Sequence, residues 1–399
     1  MAQPTAARAL HADARALLPD VVALRRRIHR RPELGLVLPE TQAAVLEAIG
    51  GLDLEVRTGG STSAVVAVLR GARPGPGILL RADMDALPLA EETGLPFRSE
   101  RKGAMHACGH DAHVAMLAGA ARLLAARRGE LAGSVTFLWQ PGEEGHAGAR
   151  ILLDEGLLER EPRVDAAFAL HVDSSLPAGL VATRPGPLLA AGDVLSIDLV
   201  GRGGHAAQPH LARDPIPVAC EIVTAIQSVV TRQMYAFDPV IVSITRIQAG
   251  SAGNVIPERA NLLGTIRSVS ERARRDVRER LERLVQGIAA AHGVDAKLHV
   301  IDGYPVTVND PGSTAFARGV AADLVGADRI VDLDAPIMGA EDFSYVLQRV
   351  PGAFLFVGAR PEGSMGAPLH SNRMVLDEAA FATGVALHAA LALRYLGPR

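Results

Sequence analysis

The chain has 399 residues, 48% of them hydrophobic and 21% charged, with 41 Lys and Arg against 44 Asp and Glu for a net charge of −3. That is the balance of an ordinary globular protein, and at roughly 150 residues per domain the length fits two domains. The near-neutral charge excludes the broad cationic face that nucleic-acid binding needs, and two cysteines exclude a disulfide framework. No apolar run reaches about 18 residues, so no membrane span is expected. Residues 1–18 are Ala-rich but broken by Arg8, His11, Asp13 and Arg15, which reads as a surface helix rather than a secretory signal. A cytoplasmic protein is the expectation.

In chain order, Ala64-Val-Val-Ala-Val-Leu69 and Gly77-Ile-Leu-Leu80 read as buried strands, and residues 114–127 as an amphipathic helix. Residues 134–139 and 166–170 are further strands. The middle reads differently: a strand over 195–200, a helix opened by Asp214-Pro215 and running to Val230, strands over 240–247 and 259–267, a helix capped by Ser270 and running to Ala291, and a strand over 297–301. That order is β-α-β-β-α-β, a complete small α+β domain of the split βαβ kind. Afterwards comes a strand over 353–357 and a last helix over 377–396. The fold class is therefore α/β: a mostly parallel sheet flanked by helices over 1–186 and 304–399, interrupted by an inserted unit over 187–303. Pro185-Gly-Pro187 and Gly303-Tyr-Pro305 are the expected joints.

Polar residues of chemical interest fall at the carboxyl ends of these strands, where open α/β sheets place their ligands. Asp83 and Asp85 follow one strand, Glu143 and Glu144 another, His171 closes a third, and His370 lies on the loop after the last. Met105-His-Ala-Cys-Gly-His-Asp-Ala-His113 is the densest stretch. Cys108 and His110 can point the same way from an extended segment, Gly109 allows a tight backbone, and Asp111 can cap the following helix. A thiolate beside an imidazole suits a borderline-soft divalent metal. A lone cysteine is more often a small buried hydrophobe, by about two to one, but the strand-end partners reverse those odds. Two adjacent carboxylates on a Gly-bounded loop can diverge, one toward a metal and one toward a water. His146 beside them is surplus to that set. Gly201-Arg-Gly-Gly-His-Ala206 formally fits a dinucleotide pattern, yet Pro209 follows and no helix opens there. No Gly-x-Ser-x-Gly elbow and no phosphate loop occur.

Six motifs occur in order: Arg81-Ala-Asp-Met-Asp-Ala-Leu-Pro88, Met105 to His113, Gln140-Pro-Gly-Glu-Glu144, Gly203-Gly-His-Ala-Ala-Gln-Pro209, Gly253-Asn-Val-Ile-Pro257 and Gly339-Ala-Glu-Asp-Phe343. Together, from about Arg25 to Tyr395, they resemble the amidohydrolase branch of the dinuclear aminoacylase-carboxypeptidase metallopeptidase superfamily. That branch includes hippurate hydrolases, N-acyl-amino-acid amidohydrolases and auxin-conjugate hydrolases. The resemblance implies a catalytic domain interrupted by a lid domain that also dimerises, and two divalent metal ions per subunit (Zn, Mn, Ni or Co). It implies Cys108, His110, Glu144, His171 and His370 as metal ligands, with Cys108 bridging, and Glu143 as general base. The wider superfamily has His-x-Asp in the first motif. Here Asp83-Met-Asp85 stands there, which leaves both aspartates behind the ligands rather than on a metal.

The expected activity is cleavage of an N-acyl amino acid, hippurate-like or N-acetylated, to a carboxylic acid and a free amino acid. The rival enzyme is a dipeptidase or carboxypeptidase with the same site, and the non-enzymatic rival is an inactive metal- or ligand-binding relative, against which the intact Glu143 counts. A substrate carboxylate is best matched by a guanidinium, for which Arg267 at the end of an inserted-domain strand is the candidate, with Asn254 adding an amide. His205 matches the histidine that serves the family as oxyanion donor, and its place on the dimerising lid makes it a donor expected from a second subunit. The expected partners are a small N-acyl amino acid and a second copy of the chain, with no nucleic acid and no membrane.

Overall fold

The computed structural model describes residues 4–397, which divide into two compact units. The first comprises the chain up to Leu188, Val308–Asp334 and the part from Tyr345 on. Its eight-stranded sheet runs Glu55–Thr58, Val65–Arg70, Ala132–Gln140, Arg73–Asp83, Ala166–Pro177, Gly352–Arg360, Val181–Thr183, Ile330–Asp332. The central strands from Ala132–Gln140 to Gly352–Arg360 are mutually parallel; their outer neighbours join antiparallel, and Ile330–Asp332 at one edge pairs parallel with Val181–Thr183. Each central strand is a continuous buried run, as a strand covered on both faces must be.

The helix after the dense motif is His110–Ala126, and it is not amphipathic: every residue from His110 to Ala121 is buried. It lies between Pro4–Arg30 and Phe381–Leu396, so no face is left for polar residues. Gly119 is what lets the three helices close up, since a Cβ there would meet Val385 at 2.9 Å and Val21 at 3.0 Å. Asp111 is not the cap: the helix starts at His110, and Gly109 before it adopts a left-handed φ of 84°. A Cβ on Gly109 would also sit 2.4 Å from Val172. The N-terminal helix continues to Arg30 and buries Leu10, Ala14, Val21 and Ile28. Residues 378–396 do meet the length and composition of a membrane span, against the expectation that no segment would. Of that window 72% is buried inside the protein, and a helix covered on all sides carries the same apolar composition as a span.

The second unit comprises Leu189–Thr307 and Ala335–Ser344, the latter a segment that the sequence assigns to the first. Its sheet is antiparallel throughout, in the order Val240–Ala249, Arg259–Ser268, Ala191–Val200, Asp295–Ile301. Alternation along Ala191–Val200 and Arg259–Ser268 turns Leu195, Ile197, Leu262 and Ile266 onto the helices Pro215–Arg232 and Glu271–Ala291. Asp214 caps the first helix by accepting from Ile216 N at 2.9 Å, and Ser270 the second from Ala273 N at 3.0 Å.

Candidate metal centre

The carboxyl ends of the parallel strands and the loops beside them bring Cys108, His110, Glu143, Glu144, His171 and His370 together in the first unit. Donor atoms of Cys108, Glu144 and His370 lie within 4.8 Å of one another, as do those of His110, Glu143 and Glu144, and those of Asp83, His110, His113 and His171. Cys108 Sγ is 3.4 Å from His171 Nε2, so it touches both ends of the constellation. Glu144 Oε1 is 3.3 Å from His370 Nε2. Five of the six are buried or nearly so; His370, on a left-handed backbone with φ 66°, is exposed, and its N–H donates to Ala107 O at 2.8 Å.

Two of the histidines are set as metal ligands are. His110 Nδ1 donates to Asp85 O at 2.9 Å and His171 Nδ1 to Val172 O at 2.7 Å, so each turns its Nε2 inward. His110 Nε2 is buried with no hydrogen-bond partner. A thiolate, imidazoles and a carboxylate with an unpartnered buried nitrogen among them fit divalent ions of the zinc, manganese, nickel or cobalt kind.

The electrostatics favour a cation. Burial lowers the His110 pKa, but Asp83 and Cys108 outweigh it and hold the ring well above its usual value. Hydrogen bonds with Cys108 and Glu144 raise His370 to about 10. Burial pushes the Cys108 thiol up, and burial and His113 hold His171 well below the ordinary histidine range. Protons on Cys108, His110 and His370 in the metal-free chain would have to leave before an ion could use those atoms.

Asp83 and Asp85 stand behind these groups. Arg81 Nη1 donates to Asp83 Oδ2 at 2.6 Å, and His113 occupies Oδ1. Asp85 accepts the backbone N–H of Glu143 on Oδ1 and of Glu144 on Oδ2, both at 3.0 Å, and so fixes the turn that parts the two side chains. Asp85→Asn keeps only one acceptor oxygen for two amides. Metal affinity should fall roughly 10–100-fold, read by competition with a chromophoric chelator. Unchanged affinity would remove Asp85 from the assembly of the site.

The motifs contain His113, but its role was missed. It is buried, its Nε2 accepts from Val172 N at 2.8 Å, and its Nδ1 donates to Asp83, so both nitrogens are engaged in tying the His171 strand to the aspartate. Its place one helical turn after His110 is the signal that could have found it. His146 is exposed, and its ring lies over Gly35.

His205, Asn254 and Arg267 belong to the second unit. His205 and Asn254 share an open cleft of about 860 Å³ that also takes in Arg259. Ala207 N donates to His205 Nδ1 at 3.0 Å, so the neutral ring carries its proton on Nε2. Arg267 is not with them. It sits at the far end of Arg259–Ser268, eight residues and so about 26 Å along the strand from Arg259. There its guanidinium lies over Gly192, half-buried, and no carboxylate of the described residues pairs with it.

A sheet carrying a thiolate, imidazole and carboxylate cluster at the ends of its parallel strands, interrupted by a separate antiparallel unit, defines a metallohydrolase of the peptidase kind. The chain belongs to peptidase family M20/M25/M40, whose model matches residues 79–394. It is 39% identical to thermostable carboxypeptidase 1 of Saccharolobus solfataricus, over 96% of this chain and 97% of that one. It is 38% identical to N-acetylcysteine deacetylase of Bacillus subtilis, over 94% and 96%. Among solved structures it matches the YXEP protein of Bacillus subtilis, a dinuclear metal binding peptidase, with a TM-score of 0.82 and 35% identity over 96% of this chain and 99% of that one. The protein is a hydrolase of amide or peptide bonds.

Proposed function

We propose that the protein is a metal-dependent amidohydrolase that cleaves N-acyl amino acids to a carboxylic acid and a free amino acid. The observation that carries this reading is Glu143: a second buried carboxylate held beside the ligand cluster by Asp85, on a backbone that sends Glu144 toward Cys108 and His370. A site built only to hold ions has no need of it. Cys108, His110, Glu144, His171 and His370 would hold two divalent ions. When bound, such ions polarise the amide carbonyl and make water a stronger acid. Glu143 takes the proton of the attacking water and returns it to the leaving amine. The deacetylase among the relatives supports an acyl amino acid as substrate, and the carboxypeptidase supports the second reading, a peptide. Turnover of N-acetyl- and N-benzoyl-amino acids against unblocked dipeptides tests the choice. Preference for the dipeptides would overturn the first reading.

Arg267 is the proposed partner of the substrate carboxylate, and Asn254 contributes an amide. An unpaired, half-buried guanidinium suits that role. Arg267→Ala should raise KM at least tenfold on an acid substrate and leave its amide analogue nearly unaffected; equal losses on both would remove the carboxylate role. His205 Nε2–H would donate to the carbonyl oxygen as it becomes an oxyanion. An N-acyl amino acid is far shorter than the 26 Å or so between the cleft of His205 and the position of Arg267. One unit therefore cannot offer both residues to one substrate, which supports a homodimer in which the second subunit supplies His205 and Asn254.

A further inference from the structure

The sequence Leu24-Arg-Arg-Arg-Ile-His29 has no part in the chemistry above, yet Arg25 and His29 are fully buried in the first unit. Four residues apart, they share one face of the N-terminal helix and meet Asp111, the residue after His110. Arg25 Nε lies 2.8 Å from Asp111 Oδ2 and His29 Nδ1 2.6 Å from the same oxygen. The other ring nitrogen, His29 Nε2, lies 3.3 Å from Glu91 Oε1. A histidine with a carboxylate on each nitrogen donates from both and is an imidazolium; the neighbouring acids outweigh burial and keep its pKa raised.

Glu91 begins the loop 91–99. Its second oxygen accepts from Ser99 N at 2.7 Å, closing the loop on itself. Phe97 of the same loop is buried beneath three cationic side chains, with Arg25 at 4.9 Å and Arg26 at 4.6 Å from its ring centre and the His29 ring edge-on at 5.5 Å. The loop is thus seated on the N-terminal helix by one aromatic and one ion pair. The next residue, Glu92, reaches the opposite way. Its N–H donates to Asn372 O at 2.8 Å, and its carboxylate accepts from Arg373 Nη2 at 3.2 Å. Asn372 and Arg373 follow His370, the one exposed member of the ligand set.

We propose that His29 is a positioning residue: clamped between Asp111 and Glu91, it seats the 91–99 loop, and that loop holds the surface segment carrying His370 against the buried start of the His110 helix. The inference rests on reading His370 as a metal ligand only for its consequence in metal binding; the mechanical link is independent of it. Without such a brace an exposed loop would supply its ligand from many conformations, and ordering it would be charged against metal affinity.

The test is amide hydrogen exchange on the metal-free chain. In His29→Leu the amides of Ser99, Glu92 and His370 should all exchange about tenfold faster or more, as loss of a buried charged hydrogen bond implies, while Phe381–Leu396 keeps its protection. If Ser99 alone accelerates, or none of the three does, His29 does not reach the His370 segment and the proposal fails. Should His29→Leu not fold, Arg373→Ala cuts the exposed end of the same link: His370 N–H should accelerate and Ser99 stay unchanged, and a protected His370 would again overturn the proposal. Cobalt(II) titration followed by visible absorption separates the two readings. His29→Leu should bind roughly tenfold more weakly and His370→Ala should lose ligand-field bands. If His370→Ala keeps both ions at full affinity, the ligand reading fails, and the exchange result still decides the link.

Discussion

Glu143→Gln should retain its metal and its substrate affinity and lose roughly 10²–10⁴ of turnover, the range expected when a general base is removed. Gln is isosteric, and the backbone bond from residue 143 to Asp85 does not involve the side chain, so the turn survives the change. The neighbouring Glu144→Gln should fail in the opposite way. Its carboxylate lies against His370 and within reach of Cys108, and burial, which raises its pKa, is outweighed by the His370 hydrogen bond and the charge of His110. Neutralising it should lower metal occupancy first and activity in consequence. Metal analysis and kcat measured side by side separate the roles, and a reversed pattern would exchange them.

His205→Ala should lose turnover by a factor of roughly 10²–10³, the effect of removing one oxyanion donor, with metal content unchanged. Its consequence for assembly is sharper. His205 is exposed, shares its cleft with Arg259, which is about 26 Å along the strand from Arg267, and keeps a donor free on Nε2. If it acts across a dimer, inactive His205→Ala and inactive Glu143→Gln subunits should regain activity when dissociated and reassociated together, because each mixed dimer then holds one site with both groups intact. Mixed dimers that stay inactive would place His205 in its own subunit's site.

The positions of the ligand candidates were legible because strand ends and turns are local features. A buried run such as Ile78-Leu-Leu80 followed by Asp83 and Asp85 can be read from a few residues, and so can Trp139 followed by a Pro-Gly turn and two glutamates. The antiparallel unit was legible for the same reason, its helices announced by Asp214 and Ser270. What escaped depends on residues far apart in the chain. Asp111 has the look of a cap, and its Oδ1 does accept from Ala112 N at 2.9 Å, but its other oxygen is taken by Arg25 and His29, more than 80 positions upstream. His113 is a strut only because the strand after His171 delivers Val172 N to it. Asp85 orders Glu143 and Glu144 across 58 and 59 residues. Helix His110–Ala126 looked amphipathic because its alanines pass for a weak face, whereas small residues there mark close approach on every side. Arg267 and His205 were both readable as candidates, but not that the strand of Arg267 begins at the His205 cleft and carries Arg267 to its far end.

The most direct test of a two-ion amidohydrolase is a metal titration of the stripped chain with an N-acetyl amino acid present. Cys108, His110 and His370, whose pKa values are raised, must shed their protons, and His370 is pushed up to about 10 in the metal-free state, so a chelator at mildly acidic pH should empty the site and rising pH should strengthen reloading. Turnover should be absent without metal and reach its full rate only as the second equivalent of zinc, manganese or cobalt binds, with carboxylic acid and amino acid released one for one. Full turnover by the stripped chain, or saturation of both binding and activity at one equivalent, would contradict the two-ion reading.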